Sequence, residues 1–343
     1  MTVTETLHQA ALWATTSNTI AHYRVIALPK LADVQLSSVQ DVVAFYRSSD
    51  PFIIGLACVA FLSFTTWFMS ILTGNYSQVD RIWSLLPPFY SWHFTLHDCM
   101  NSRDGQPNVR LVLVSTLMTL WGARLTFNFW RKGGYKWKEE DYRWPYLRQA
   151  IGPVAFQLLN ATFIAPYQNI LLYLISLPVY IAYLNSRISF ELNAVDLVAT
   201  VLFLALLAGE FIADHQQWVF QSEKARLIKE KAPLKGDYKR GFLASSGLWK
   251  YSRHPNFFCE ISTWWVVYLF SVAATAGDKW GLTGAWLNWT ILGAVMLTML
   301  FQGSTELTEY MTGSKYPAYK QYQEHVPRIT PWPRNAWSFE KED

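Results

Sequence analysis

The chain has 343 residues, of which 51% are hydrophobic and only 16% charged, with a formal net charge of +4 at pH 7. Soluble domains carry about 25% charged residues, and the 17 Trp, 18 Tyr and 21 Phe found here suit interfacial aromatic belts. These values argue against an ordinary soluble domain and for a polytopic membrane protein, with polar loops long enough to keep the mean hydropathy only weakly positive.

Residues 1–50 are rich in Ser and Thr and lack an apolar core followed by a small-residue cleavage site, so they do not read as a signal peptide. They are expected to form an extension, separate from a helical domain over 51–343. Apolar windows follow at 51–72, 82–96, 109–130, 164–184, 195–213, 257–275 and 283–303. A helix needs ~20 residues to cross the hydrocarbon. The second window is short and interrupted by Pro87-Pro88, which predicts a kinked span or a re-entrant hairpin. The expected fold is therefore an all-α bundle of about seven transmembrane helices. The cysteines Cys58, Cys99 and Cys259 are scattered, with no CxxC pair to found a zinc site or a disulfide framework.

Several polar residues fall within or against these windows. His93 and His97, with Asp98 beside them, have the i,i+4 spacing of a metal pair. A membrane di-iron site needs several histidine boxes, however, and this chain has seven histidines in all, so no metal is expected. Arg124 lies near the end of the third window, where it either snorkels to the headgroups or clamps an anion. Glu210 and Asp214 share one helix face at the end of the fifth window. Like charges so placed repel, which calls for a hydroxyl, amide or basic partner.

In "YSRHPNFFCEISTWW", residues 251–265, a basic cluster runs directly into an apolar window. Pro255 suits the first turn of a helix, whose free N–H groups attract anions. Arg253 stands just outside that turn, and Asn256 and Glu260 follow at i,i+4. The pattern suits a phosphate at the helix mouth and a polar ring or ribose deeper in, or else an ordinary span start with Glu260 paired to a neighbouring helix. Near the C-terminus Glu306 and Tyr310 repeat the i,i+4 spacing on what otherwise reads as a surface helix. There is no GxGxxG and no GxxxxGK[ST], which excludes the nucleotide sites of soluble Rossmann and P-loop domains. The basic loops are accounted for by topology, and no nucleic-acid partner is expected.

"GLWKYSRHPNFFCEISTWW" resembles the C-terminal motif of the steroid 5-alpha-reductase-like membrane reductases, in particular an uncharacterised branch with a "YSRHPNYFGE" signature. "NYSQVDRIWSL" at 75–85, "LWGARLTFNFWRKGGYKWKEEDYRW" at 120–144, "GEFIADHQQWVFQ" at 209–221 and "YPAYKQYQEHVPRITPW" at 316–332 are similar to further motifs of that branch. The resemblance covers about 75–332. It implies a seven-helix bundle with a cytosol-open cavity, in which NADPH reduces a carbon–carbon double bond of a lipid such as a 3-oxo-4-ene steroid. It also implies residence in the endoplasmic reticulum of a eukaryote or the inner membrane of a bacterium.

By the same resemblance, Glu210, Asp214, Tyr251, Asn256 and Glu260 match cofactor contacts, and Arg124 matches a phosphate contact. Arg253 adds charge for the phosphate, and Glu306 and Tyr310 fall near the last cofactor contacts. This C-terminal, cofactor-binding part runs over about 195–332. Asp80 falls near a substrate-binding carboxylate, and Asp80 and Tyr90 are the candidate catalytic residues. Two positions depart from the pattern. Trp121 stands where a ketone-binding tyrosine is expected, and Cys259 replaces a small glycine. A similar "RHP" helix start occurs in the isoprenylcysteine carboxyl methyltransferases, which makes an S-adenosylmethionine-dependent methyltransferase the alternative, and a non-catalytic lipid-binding protein a third reading.

Charge asymmetry sets the expected orientation. Loop 131–150 holds six Lys/Arg, loop 214–256 nine and the tail after 303 five, whereas loops 97–108, 185–194 and 276–282 hold one each. The basic side is expected to face the cytosol. Cysteines introduced into 131–150 and 214–256 should react with a membrane-impermeant maleimide only from the cytosolic side. Labelling of either loop from the other side removes the shared cytosolic face.

Overall fold

The computed structural model describes residues 38–103 and 105–332, and all their regular elements are helical. Six helical runs are long and apolar enough to cross a membrane: Pro51–Thr73, Val109–Arg131, Arg143–Leu184, Ala194–Lys229, Pro255–Thr275 and Ile291–Lys315. The protein is a multi-pass membrane helix bundle. Its described residues form two compact units, residues 38–201 with 265–296 and residues 202–264 with 297–332.

The first unit begins with α1 (Val39–Ser48) and α2 (Pro51–Thr73). Ser38 caps α1 and Asp50 caps α2 through side-chain oxygens, and Gly74 ends α2 in the left-handed conformation. Residues 38–50 are not a detached extension. The Tyr46 hydroxyl meets His93 Nδ1 at 2.9 Å, and His97 Nε2 lies within reach of the Tyr46 and Ser49 carbonyls at 3.1 and 3.0 Å. Residues 1–37, the rest of that expected extension, lie outside the described residues. The histidine pair thus fastens α1 in place, and Tyr183 closes the cluster with its hydroxyl 2.9 Å from His97 Nδ1.

After the short α3 (Gln78–Ile82), α4 (Leu86–Asn101) opens on Pro87 and Pro88. Prolines in a first turn remove no intrahelical hydrogen bond. They therefore start this helix and do not kink it. At 16 residues and 1.5 Å per residue, α4 is roughly 24 Å long, short of the ~30 Å hydrocarbon thickness. That is why the expected seven spans become six long ones and a short companion.

α4 packs on α5 (Val109–Arg131), with hydroxyl pairs Ser84–Thr126 at 2.7 Å and Thr95–Ser115 at 2.8 Å. Next come α6 (Arg143–Leu159), a π-helix (Asn160–Tyr167), α7 (Gln168–Leu174) and α8 (Leu177–Leu184). Gly152, at φ 78°, admits the kink before Pro153. A buried ion pair closes the unit: Arg110 Nε and Nη2 each bond an Asp196 oxygen at 2.8 Å, and Nη2 also reaches the Glu191 carbonyl.

The first-unit segments 75–81 and 136–148, which carry two of the resemblance motifs, are stitched together. Asn75 Nδ2 donates to the Glu139 carbonyl at 2.9 Å, Tyr76 N to Glu140 Oε1 at 2.8 Å, and Asp141 N to Ser77 Oγ at 2.8 Å.

The second unit contains residues 202–229 of α9 (Ala194–Lys229), α10 (Gly236–Arg240), a 3-10 turn (Gly247–Lys250) and residues 255–264 of α11 (Pro255–Thr275). It is completed by residues 297–315 of α12 (Ile291–Lys315) and by α13 (Tyr319–His325). The expected loop 214–256 is thus helical as far as Lys229. Of the stretch 195–332 expected to bind the cofactor, residues 195–201 and 265–296 belong to the first unit. Phe242, Ala244, Tyr319, Tyr322 and Val326 form one core cluster of the second unit, and Phe220, Leu243 and Trp249 form another.

The α4–α5 seam yields a stability prediction. A Cβ on Gly122 would lie 2.5 Å from the Ser84 carbonyl oxygen, a backbone atom that cannot swing away. Gly122→Ala should cost about 1–3 kcal/mol, read as a lower melting temperature in mild detergent. An unchanged melting temperature would show that the seam is loose.

Candidate functional site

Two helices of the second unit present facing polar stripes. Glu210, Asp214 and Gln217 recur at i, i+4, i+7 on α9, and Asn256, Glu260 and Thr263 do so on α11. Asn256 Nδ2 donates to Asp214 Oδ1 at 3.2 Å, joining the stripes. Glu210, Asp214 and Glu260 are only 4–5% exposed. Glu260 Oε1 accepts a 2.9 Å hydrogen bond from Trp264 Nε1, one turn along the same helix. Among the described residues, Asn256 Oδ1, Thr263 Oγ1 and Gln217 Oε1 are buried without a hydrogen-bond partner. Such orphans are costly inside a protein, about 1–3 kcal/mol each.

The two helices approach closely at Gly209. A Cβ there would sit 3.2 Å from Cys259 Sγ. The sulfur that replaces the expected glycine on α11 is accommodated by a glycine on α9, which preserves the tight crossing despite the departure from the motif.

The residues just before α11 are engaged by other segments of the second unit. Arg253 is buried, and its charge is consumed within the protein. Nε and Nη2 bond Glu309 Oε1 and Oε2 at 2.6 and 3.0 Å, and Nη1 donates to the carbonyls of Gln323 (2.8 Å) and Val326. Glu309 also meets His254 Nε2 at 3.0 Å, Gln323 Nε2 at 3.0 Å and the Tyr319 hydroxyl at 3.4 Å. Burial, together with Glu309 beside it, pushes the Tyr319 phenol well above the ordinary tyrosine range and keeps it a neutral donor. Ser252 Oγ donates to the Ile329 carbonyl at 2.6 Å, Arg253 N to the Pro327 carbonyl at 3.0 Å, and Trp332 N to the Tyr251 carbonyl at 3.2 Å. The "YSRHP" and "VPRITPW" segments are therefore sewn together, and Arg253 is a structural cation instead of a free anion clamp. Tyr251 caps the 3-10 turn, with Lys250 Nζ 4.8 Å from its ring centroid.

The buried acid of α12 is Glu309, while Glu306 and Tyr310 stand on the exposed side, Tyr310 at 63% exposure. An i,i+4 pair in the sequence marked the helix without fixing its inward face. Thr263 and Gln217 were also legible in principle, one further step along the stripes that Asn256–Glu260 and Glu210–Asp214 begin.

Asp80, Tyr90 and Arg124 belong to the first unit. Asp80 Oδ2 accepts from Trp144 Nε1 at 3.3 Å. Burial and the neighbouring Asp141 push its carboxyl above the usual range, against the pull of Arg143, Ser77 and Trp144. Tyr90 is fully buried, its ring 4.8 Å from that of Tyr173, and its hydroxyl has no hydrogen-bond partner among the described residues. Arg124 is buried at 8% exposure, and Trp121 is fully buried.

The Arg253–Glu309 pair generates a prediction. Glu309→Gln keeps the shape but strands a buried guanidinium, and breaking such a pair costs roughly 3–5 kcal/mol. The ligand-free protein should melt at a clearly lower temperature. Melting within error of wild type would mean that Arg253 retains free charge after all.

Comparison with known proteins places this architecture. Residues 66–326 match the family model described as "Protein of unknown function (DUF1295)". The chain is 38% identical over 295 residues to "Uncharacterized protein C594.04c" of Schizosaccharomyces pombe, an alignment that covers 84% of this chain and 81% of the relative. No solved structure matches. The match of the family model, running from α2 through α13 and including both polar stripes and the Arg253–Glu309 pair, places the chain in the DUF1295 family.

Proposed function

We propose that this protein is an NADPH-dependent membrane oxidoreductase that reduces a carbon–carbon double bond of a lipid or steroid-like substrate. The observation that carries the reading is the pair of polar stripes on α9 and α11, which hold three buried carboxylates and an amide, Asn256, bonded to Asp214 with its oxygen orphaned. A ligand rich in hydrogen-bond donors suits this set of acceptors. The carboxamide N–H and ribose hydroxyls of a nicotinamide nucleotide are such donors. The resemblance of the surrounding motifs to the steroid 5-alpha-reductase-like reductases supports the same choice.

On this reading Glu210, Asp214, Asn256 and Glu260, all of the second unit, hold the nicotinamide ribose end. When bound, NADPH supplies the hydride that adds to the β-carbon of an alkene conjugated to a carbonyl. The chain's own task is then to steady negative charge on the carbonyl oxygen and to return one proton to the adjacent carbon. Within the first unit, burial pushes the Asp80 carboxyl above its usual range and Tyr90 has an unspent hydroxyl, so these two are the proposed donors. Trp121 offers an indole N–H in place of the expected phenol, a donor that cannot release its proton usefully. The membrane assigned is the endoplasmic reticulum of a eukaryote or the inner membrane of a bacterium.

Asn256→Ala and Glu260→Ala should each weaken NADPH binding by roughly ten- to hundredfold, the loss of one hydrogen bond to a charged group. Calorimetry on the detergent-purified protein reads the affinity, and ligand-free melting reads the fold. Unchanged affinity with lowered melting would make the stretch a structural start to a span. Tight binding of S-adenosylmethionine with none of NADPH would favour a methyltransferase instead.

A further inference from the structure

The consumption of Arg253 by Glu309 leaves open which cations of the second unit are available to an anion. Two are found at one place. Between the C-terminal half of α12 and α13 lies a cleft of about 580 Å³, bordered by Glu306, Glu309, Tyr310, Lys320, Gln323 and Arg328 among others. That volume is within the range of small-ligand sites. Lys320 is exposed, and its ammonium makes no hydrogen bond or ion pair among the described residues. Arg328 donates from Nη2 to the Gln302 amide oxygen, a neutral partner that steadies the guanidinium without cancelling its charge. Glu309 brings no net charge to the wall because Arg253 neutralises it. Glu306 is the one remaining carboxylate, against two cations.

We propose that this cleft binds a phosphate monoester through Lys320 and Arg328. Resting on the reductase reading above, the occupant is the phosphorylated adenosine ribose of NADPH, so that these two residues select it over NADH. Arg328 can present two parallel N–H groups to a phosphate, and Lys320 a point charge. Glu306, as an acceptor at the same wall, suits a ribose hydroxyl. The cleft shares Glu309 with the network that seats Arg253 and His254, three and two residues before Asn256.

The test uses the full-length protein in mild detergent, with calorimetric titration of NADPH and NADH. Adenosine 2′,5′-bisphosphate serves as the free-phosphate competitor and phosphatidate in mixed micelles as the lipid-borne one. Wild type should prefer NADPH by at least about tenfold, the effect of one charge-assisted contact, and the bisphosphate should compete with NADPH. Lys320→Gln and Arg328→Gln should each abolish most of that preference while leaving NADH affinity unchanged, and Arg328→Lys should restore part of it. Melting curves separate these losses from unfolding, and Lys320→Gln carries the test alone if Arg328→Gln does not fold.

Three outcomes overturn the assignment while leaving the reductase reading intact: a preference for NADPH that survives both substitutions, an equal loss of NADPH and NADH affinity, or displacement by phosphatidate and not by the bisphosphate. Failure of wild type to bind either nucleotide removes the reductase reading, and this one with it.

Discussion

The second unit depends on one buried charge. Glu309 is buried on the C-terminal half of α12, and a carboxylate out of water is costly unless it is paired and hydrogen-bonded. Here it has Arg253, His254, Gln323 and Tyr319 around its two oxygens. Those partners come from the entry to α11 and from α13, so satisfying one carboxylate draws three separate segments of chain together. Arg253 extends the same logic by filling the carbonyls of Gln323 and Val326, which ties the end of α13 to the start of α11. The result is a fixed starting point for α11, and the direction in which Asn256 and Glu260 project follows from it.

From that starting point the polar stripes acquire their meaning. Three carboxylates on two adjoining helices repel one another, and a chain under no other demand would replace some of them. The close crossing at Gly209 and Cys259 brings the helices near enough for Asn256 to bridge to Asp214, yet it leaves the Asn256 oxygen, Thr263 and Gln217 with unspent hydrogen-bonding capacity. Local strain and unsatisfied polarity of this sort concentrate at binding sites. Among the described residues, the first unit also holds buried polar atoms without a partner, those of Tyr90 and Asn160 included, but charged groups in its core are paired within it. Arg110 and Asp196 neutralise each other, and His93 and His97 are absorbed in fastening α1.

The sequence by itself determined the membrane bundle, because hydropathy over ~20 residues and the charge deficit are local quantities that tertiary contacts do not change. It also determined the helix start at Pro255 and the pairing of Glu210 with Asp214 and of Asn256 with Glu260, since i,i+4 spacing fixes a shared face. It left the length of α4 undecided. Pro87-Pro88 can break a helix or begin one, and only the position of the first turn decides which.

Tertiary structure alone decided which cation is free and which is spent. Arg253 beside a helix N-terminus looks like an anion clamp until Glu309, 56 residues further along, is folded against it. Glu306 and Glu309 lie within one turn of the same helix, and the sequence offers no reason to bury one and expose the other. Packing of α13 makes that choice. Electrostatic roles depend on distances between residues far apart in the chain, and a sequence pattern carries spacing along one helix but not the partner across from it.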